Sequence, residues 1–300
     1  MGRELAALYP VARETFDEAD AALGYKLSQV CFEGPEEQLK LTEITQPAIL
    51  TVSVASWRVL QSQGIAARWV AGHSLGEYSA HVAAGTLSFA DAVRTVRNRG
   101  KYMQEAVPVG VGAMAAVLAL ASDKLEKLCE EAAQGEVCRA ANLNSPDQVV
   151  ISGNKAAVER AAELAKKKGA KRAIMLPVSA PFHCALMQPA QDRLATDLAA
   201  LNFHDPEIPV MCNVDATLMA GAQQARDTLV RQVTGAVQWD KSMRALVALG
   251  ARNFIEIGPG KVLCGLMKQI DRTLACFNVE DEASLQKALN HFNPATPKPE

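Results

Sequence analysis

Leu5, Leu8, Val11, Ala12 and Phe16 fall at three- and four-residue intervals, and a longer apolar stretch covers 49–60 after Pro47, so the chain opens as helices. Residues 66–71 then form a short β-competent run that stops at Gly72, and 75–84 read as helix again. A strand, a tight turn and a helix in that order are the unit from which parallel sheets are built. A further helix is predicted over 89–104.

Between 112 and 177 the elements become shorter. Strands are predicted at 113–119, 137–141, 148–152 and 172–176, with helices at 123–133 and 155–168. The order β-α-β-β-α-β is that of the ferredoxin-like split unit, which folds as one small compact insert. After Pro181 the chain returns to longer helices, 185–198, 225–232 and 242–249, and to buried strands, 208–212 and 253–257. These are expected to complete the sheet begun before residue 110. An α/β protein in two parts is therefore expected: a discontinuous larger domain, 1–110 with 180–292, and a small domain, 111–179. The polar, proline-rich residues 293–300 are expected to form a flexible tail.

Composition narrows the function classes. The 300 residues are 49% hydrophobic and 21% charged with a formal net charge of −2, which argues against a nucleic-acid partner. The longest apolar run, 113–121, is nine residues, about half of what a membrane-spanning helix requires, so no membrane association is expected. The start carries no cationic segment followed by an apolar one, which points to a cytoplasmic protein. Seven scattered cysteines without a C-x-x-C pair are expected to be reduced and mostly buried.

Gly72-His73-Ser74-Leu75-Gly76 matches G-x-S-x-G, and its place between a predicted strand and a predicted helix gives the string its weight. The turn there is strained, and the two flanking glycines are expected to make room for it. Ser74 would project at a helix N-terminus, whose free N–H groups stabilise developing negative charge. A glycine-rich turn with an N-capping serine would carry the same string.

A serine nucleophile needs a base, and there are five histidines. His73 precedes Ser74 on the same turn, and His81 lies two helical turns beyond it. His204 is in a polar connection and His291 is close to the tail. His183 remains, just past a predicted strand end. Of the aspartates between Ser74 and His183, none of Asp91, Asp123 or Asp147 is placed at a strand end of the main sheet. A Ser-His dyad is therefore expected, its imidazole tautomer fixed by a backbone or amide carbonyl.

Arg94, Arg97 and Arg99 share the helix predicted over 89–104. An arginine fork suits a substrate carboxylate better than lysine does, but position alone does not choose among the three. Gly258-Pro259-Gly260-Lys261 lacks the spacing of a phosphate loop and reads as a turn opening a helix. Lys166, Lys167 and Lys168 read as solvated charge at a helix C-terminus. No motif calls for a metal or an organic cofactor.

Residues 72–79 (Gly-His-Ser-Leu-Gly-Glu-Tyr-Ser) resemble the nucleophile segment of the malonyl-CoA:acyl carrier protein transacylase family. The resemblance continues through 97–108, 142–153, 177–183, 237–239 and 256–263, so that several motifs stand in order over nearly the whole chain. It implies an α/β-hydrolase-like parallel-sheet domain with a ferredoxin-like insert. It further implies Ser74 as the acylated nucleophile, His183 as general base and then acid, and Arg99 as the holder of the malonyl carboxylate. The backbone carbonyl of Gln232 would orient His183, and the Leu75 N–H would donate to the oxyanion. Malonyl-CoA and acyl carrier protein are the implied partners, coenzyme A and the phosphopantetheine arm entering as substrates.

Members of the family begin with a strand leading into Gly-Gln-Gly-Ser-Gln, whose second glutamine supplies the other oxyanion N–H. This chain starts beyond that point, at Met1-Gly2-Arg3-Glu4-Leu5, so that strand and that donor are expected to be absent. The expected function is ping-pong malonyl transfer through Ser74, supplying fatty acid synthesis, by a monomer. The rival readings are a serine thioesterase or esterase, in which water resolves the ester, and a truncated, weakly active carrier-binding relative.

Overall fold

The computed structural model describes residues 1–178 and 180–292. Ser179, in the segment leading to His183, and the tail expected over 293–300 lie outside the described residues. The chain begins with α1 (Arg3–Leu8), α2 (Pro10–Leu23), α3 (Leu27–Glu33), α4 (Glu36–Leu39) and α5 (Thr42–Ser62), then β1 (Val70–Ala71), α6 (Leu75–Ala83) and α7 (Phe89–Glu105). The middle runs β2 (Gly112–Leu118), α8 (Ser122–Ala133), β3 (Cys138–Ser145), β4 (Gln148–Asn154), α9 (Lys155–Lys167) and β5 (Arg172–Met175). After a single 3-10 turn come α10 (Gln188–Ala199), β6 (Val210–Met211), α11 (Ala222–Gln232) and α12 (Trp239–Ala248). The last elements are β7 (Asn253–Ile257), α13 (Val262–Ile270), β8 (Ala275–Val279) and α14 (Glu282–Phe292).

The middle segment forms a four-stranded antiparallel sheet in the order β3-β4-β2-β5. Strand alternation divides its faces. Ala115, Val117, Val149 and Ile151 pack with Leu125, Leu128, Val158 and Ala161 of α8 and α9. Met114, Ala116 and Val150 lie in a separate cluster with Phe182, the residue before His183. Backbone bonds from Leu143 N–H to the Val237 carbonyl (2.9 Å) and from Val237 N–H to the Ala141 carbonyl (2.8 Å) tie this sheet to the rest.

The larger part is built on α5, which is apolar on most of its surface and buries Leu50, Val52, Val54, Val59 and Leu60 in the main core. Helix α7 meets the start of α5 at Gly100, where a Cβ would lie 2.5 Å from the Thr42 carbonyl oxygen. That close approach brings Arg99 beside Gln46.

The structure corrects several expectations. Helix α5 begins at Thr42, before Pro47 rather than after it. Proline so near a helix start withdraws one N–H from the ladder, and the apolar burial that follows outweighs that loss. The parallel sheet expected of the larger part is present among the described residues as two pairs, β1 with β6 and β7 with β8. The predicted strands 66–71 and 208–212 shrink to two residues each, because only Val70 and Ala71 find ladder partners, in Val210 and Met211. The cysteine reading is also corrected: Cys264 at the start of α13 and Cys276 on β8 lie with Cα atoms 5.5 Å apart and form a disulfide. No described helix is long and apolar enough to cross a membrane.

Candidate active site

The chain turns from β1 into α6 through Gly72, His73 and Ser74. Ser74 takes φ 52° and ψ −102°, a strained conformation for a residue with a side chain. Gly72 makes this possible, since a Cβ there would sit 1.9 Å from the Gly76 backbone. Gly76 faces open space, so of the two flanking glycines only the first is needed for room. Asn213 holds the turn: its Oδ1 accepts the Ser74 N–H (2.7 Å) and its Nδ2 donates to the Gly72 carbonyl (2.7 Å). Leu75 opens α6, so its N–H has no acceptor within the helix and can meet an anion.

His183 is buried, and its Nε2 lies 2.7 Å from Ser74 Oγ. Its Nδ1 faces the carbonyl oxygens of Gln232 (2.9 Å) and Gly235 (3.2 Å). Carbonyls only accept, so Nδ1 carries the hydrogen, Nε2 carries the lone pair, and the serine hydroxyl donates to it. Burial first, and then the Arg99 charge, hold this imidazole down to about 3, so it is neutral at pH 7. Among the described residues the acceptors on His183 Nδ1 are these two carbonyls, and of the aspartates between Ser74 and His183, Asp91 pairs with Arg94, Asp123 lies at the start of α8, and Asp147 is in the β3–β4 turn.

Arg99 is 2% exposed, whereas Arg94 and Arg97 lie on the outer face of α7. Arg94 reaches Asp91 at 2.7 Å, and Arg97 covers the Tyr25 ring. Tertiary packing thus makes the selection that position along the helix could not. Arg99 Nη2 donates to Ser74 Oγ (2.9 Å) and to Gln232 Oε1 (2.9 Å), and Nη1 donates to Gln46 Oε1 (2.7 Å). Its Nε has no partner. Ser74 Oγ therefore accepts from a guanidinium while donating to an imidazole. A cavity of about 430 Å³ opens over these groups, lined also by Lys40, Met103 and Phe182.

Gln46, Glu77, Asn213 and the side chain of Gln232 were not marked by sequence reasoning. Gln232 Nε2 donates to the Ser74 carbonyl (3.0 Å) and to Glu77 Oε2 (2.6 Å). Burial pushes the Glu77 carboxyl up to about 7, against the hydrogen bonds from Gln232 and Asn213 and the Arg99 charge. Asn213 follows directly on the strand predicted over 208–212, a place where functional polar groups gather, so a signal for it existed. Gln46 carried none, because it lies near the start of α5, ahead of Pro47, where the sequence predicts no helix.

The remaining candidates lie apart from the dyad. His73 Nε2 meets Asn144 Oδ1 (2.8 Å), and its ring packs beside Trp239. His81 is buried without polar partners, and His204 and His291 are exposed. Lys166 pairs with Glu163, and residues 258–261 form the turn into α13. Among the described residues no group of three His, Cys, Asp or Glu is placed to hold a metal ion.

A family model described as an acyl transferase domain matches residues 1–287. The malonyl CoA-acyl carrier protein transacylase of Salmonella typhimurium is 53% identical over 287 residues, which cover 95% of this chain and 93% of that protein. The solved acyl carrier protein S-malonyltransferase of Vibrio cholerae is 49% identical with a TM-score of 0.94, covering 96% of this chain and 94% of that one. A malonyl-transacylase solved in complex with a type II PKS acyl-carrier protein is 48% identical with the same TM-score of 0.94, covering 97% and 94%.

Proposed function

The chain belongs to the acyl transferase family, and from that premise we propose that it moves malonyl groups from malonyl-CoA to the phosphopantetheine thiol of acyl carrier protein, through an ester on Ser74. The observation that carries this reading is a buried guanidinium within hydrogen-bond reach of the same hydroxyl oxygen that a neutral histidine is set to deprotonate. A malonyl thioester brings a carboxylate for Arg99 and a carbonyl carbon for Ser74 into one cavity.

In the first half-reaction His183 Nε2 takes the Ser74 proton as Oγ bonds to the thioester carbon. The oxyanion is met by the Leu75 N–H. When the carbon–sulfur bond breaks, His183 returns the proton to the departing coenzyme A sulfur. In the second, the carrier thiol gives its proton to His183 and attacks the ester, and Ser74 leaves with that proton. The Gln232 carbonyl keeps the imidazole in the required tautomer throughout.

The reading carries with it an α/β-hydrolase-like domain, 1–110 with 180–292, and a ferredoxin-like insert, 111–179. The strand order β3-β4-β2-β5 with α8 and α9 on one face supports the insert. It also implies a monomeric cytoplasmic enzyme without metal or organic cofactor, serving fatty acid synthesis.

The test is intact mass after brief exposure to malonyl-CoA, with Ser74→Ala alongside. A malonyl adduct on the native chain and none on the variant is the expected outcome. A folded native chain that stays unmodified would overturn the reading, and rapid malonate release without carrier would turn it to a thioesterase.

A further inference from the structure

Gln232 wires a carboxylate to the arginine. Its Oε1 accepts from Arg99 Nη2 at 2.9 Å while its Nε2 donates to Glu77 Oε2 at 2.6 Å. Arg99 has only donors and an ionised Glu77 only acceptors, so the amide between them has one orientation. Glu77 and Gln232 are both 0% exposed, and Glu77 Oε1 has no hydrogen-bond partner. Half of a carboxylate thus stands unpaired in the interior, an arrangement that costs free energy unless a nearby cation offsets the charge.

The groups around Glu77 leave that role to Arg99. On its own helix Tyr78 is neutral, its hydroxyl raised by burial, and His81 is neutral, held down to about 3. The Cys212 thiol, just past β6, is pushed up to about 12 by burial. Asp215, in the same loop, adds like charge and is itself paired with Arg231 of α11 at 2.6 Å. His183, across Ser74, is neutral.

Resting on the reading that Arg99 holds the malonyl carboxylate, we propose that Glu77 is the exchangeable counter-charge of Arg99: its carboxylate form balances the guanidinium in the empty site, and that form takes up a proton when the malonyl carboxylate pairs with the guanidinium. Two anions would otherwise share one cation in a buried site. The geometry accommodates the change, because a proton on the unpartnered Oε1 leaves Oε2 to accept from Gln232, and the Gln232 carbonyl stays on His183. An acetyl group brings no second anion and calls for no proton. Glu77 is a positioning and charge-balancing residue in this account, not one that touches the reacting atoms.

Acyl transfer itself consumes no proton, since the hydrogen lost by Ser74 Oγ ends on the coenzyme A sulfur. Net uptake therefore reports another group. The full chain is mixed with malonyl-CoA or acetyl-CoA at pH 7 in weak buffer with a pH indicator, and intact mass on the same samples counts the esters. Because burial holds Glu77 at about 7, roughly half a proton is expected per malonyl ester in excess of the acetyl control. The excess should vanish in Glu77→Gln. It should also vanish in the native chain at pH 5.5, where Glu77 is already protonated, and this arm holds whether or not the variant folds. A malonyl ester formed without excess uptake, or an excess that persists at pH 5.5 or in Glu77→Gln, would overturn the proposal and leave the transferase reading standing. Absence of any malonyl ester would overturn both.

Discussion

His183 and His81 are both buried, and both are held down to about 3 chiefly by burial. Their surroundings differ. His183 has a carbonyl on one ring nitrogen and a hydroxyl on the other, whereas neither nitrogen of His81 meets a protein partner. Burial alone makes an imidazole neutral; hydrogen bonds on both sides decide which nitrogen is the base and where it points. The chemistry of the site therefore lies in the partner set, and a perturbed titration by itself marks both histidines alike.

Replacing each histidine breaks the comparison most sharply. His183→Ala is expected to slow ester formation about a thousandfold or more, read by quenched intact mass. His81→Leu should stay within about twofold of the native rate, and a loss approaching that of His183→Ala would erase the distinction.

The contrast between Arg99 and its exposed neighbours on α7 gives a smaller effect. Arg99→Ala should shift the malonyl-to-acetyl preference by about a hundredfold, because in the proposed site malonyl brings the guanidinium a carboxylate partner and acetyl brings none. The ratio of kcat/KM values for the two thioesters measures it, and an unchanged ratio would remove Arg99 from the carboxylate site.

Stability provides the mildest test. His81→Leu exchanges an unpartnered buried polar ring for an apolar side chain and should gain about 1 kcal/mol at pH 7. The pH dependence follows from protonation. An unfolded His81 binds a proton as pH falls below about 6.5, while the folded one stays neutral until about 3. Its contribution is therefore full above pH 6.5 and is lost as pH falls, at about 1.4 kcal/mol per unit. Urea unfolding from pH 6 to 4 should be less steep in His81→Leu by that slope, since His183 contributes equally to both chains.

The antiparallel unit was the most legible part of the fold. Each of its six elements lies within a few residues of where the alternation of apolar positions put it, because neighbouring strands and helices bury one another locally. The larger part was less legible. The extent of β1 and β6 depends on pairing between residues 140 positions apart, and the first turn of α5 depends on packing that overrides a proline. Glu77 was in view as part of the nucleophile segment, but nothing in the string showed that Gln232 would reach it.

By itself the sequence determined the elements of the antiparallel unit, the strand–turn–helix that presents Ser74, and the short list of histidines and arginines from which a site could be drawn. Those follow from side-chain period and backbone sterics, which act between near neighbours. The family resemblance implied Arg99 and the Gln232 carbonyl, but period and position did not single them out; the tertiary structure shows Arg99 rather than Arg94 or Arg97 buried beside the serine, and the Gln232 carbonyl facing His183. It alone joined Glu77 to Arg99 through one amide. Such choices rest on which distant backbones pack closely enough to leave a donor with no acceptor but one, and period carries no record of that.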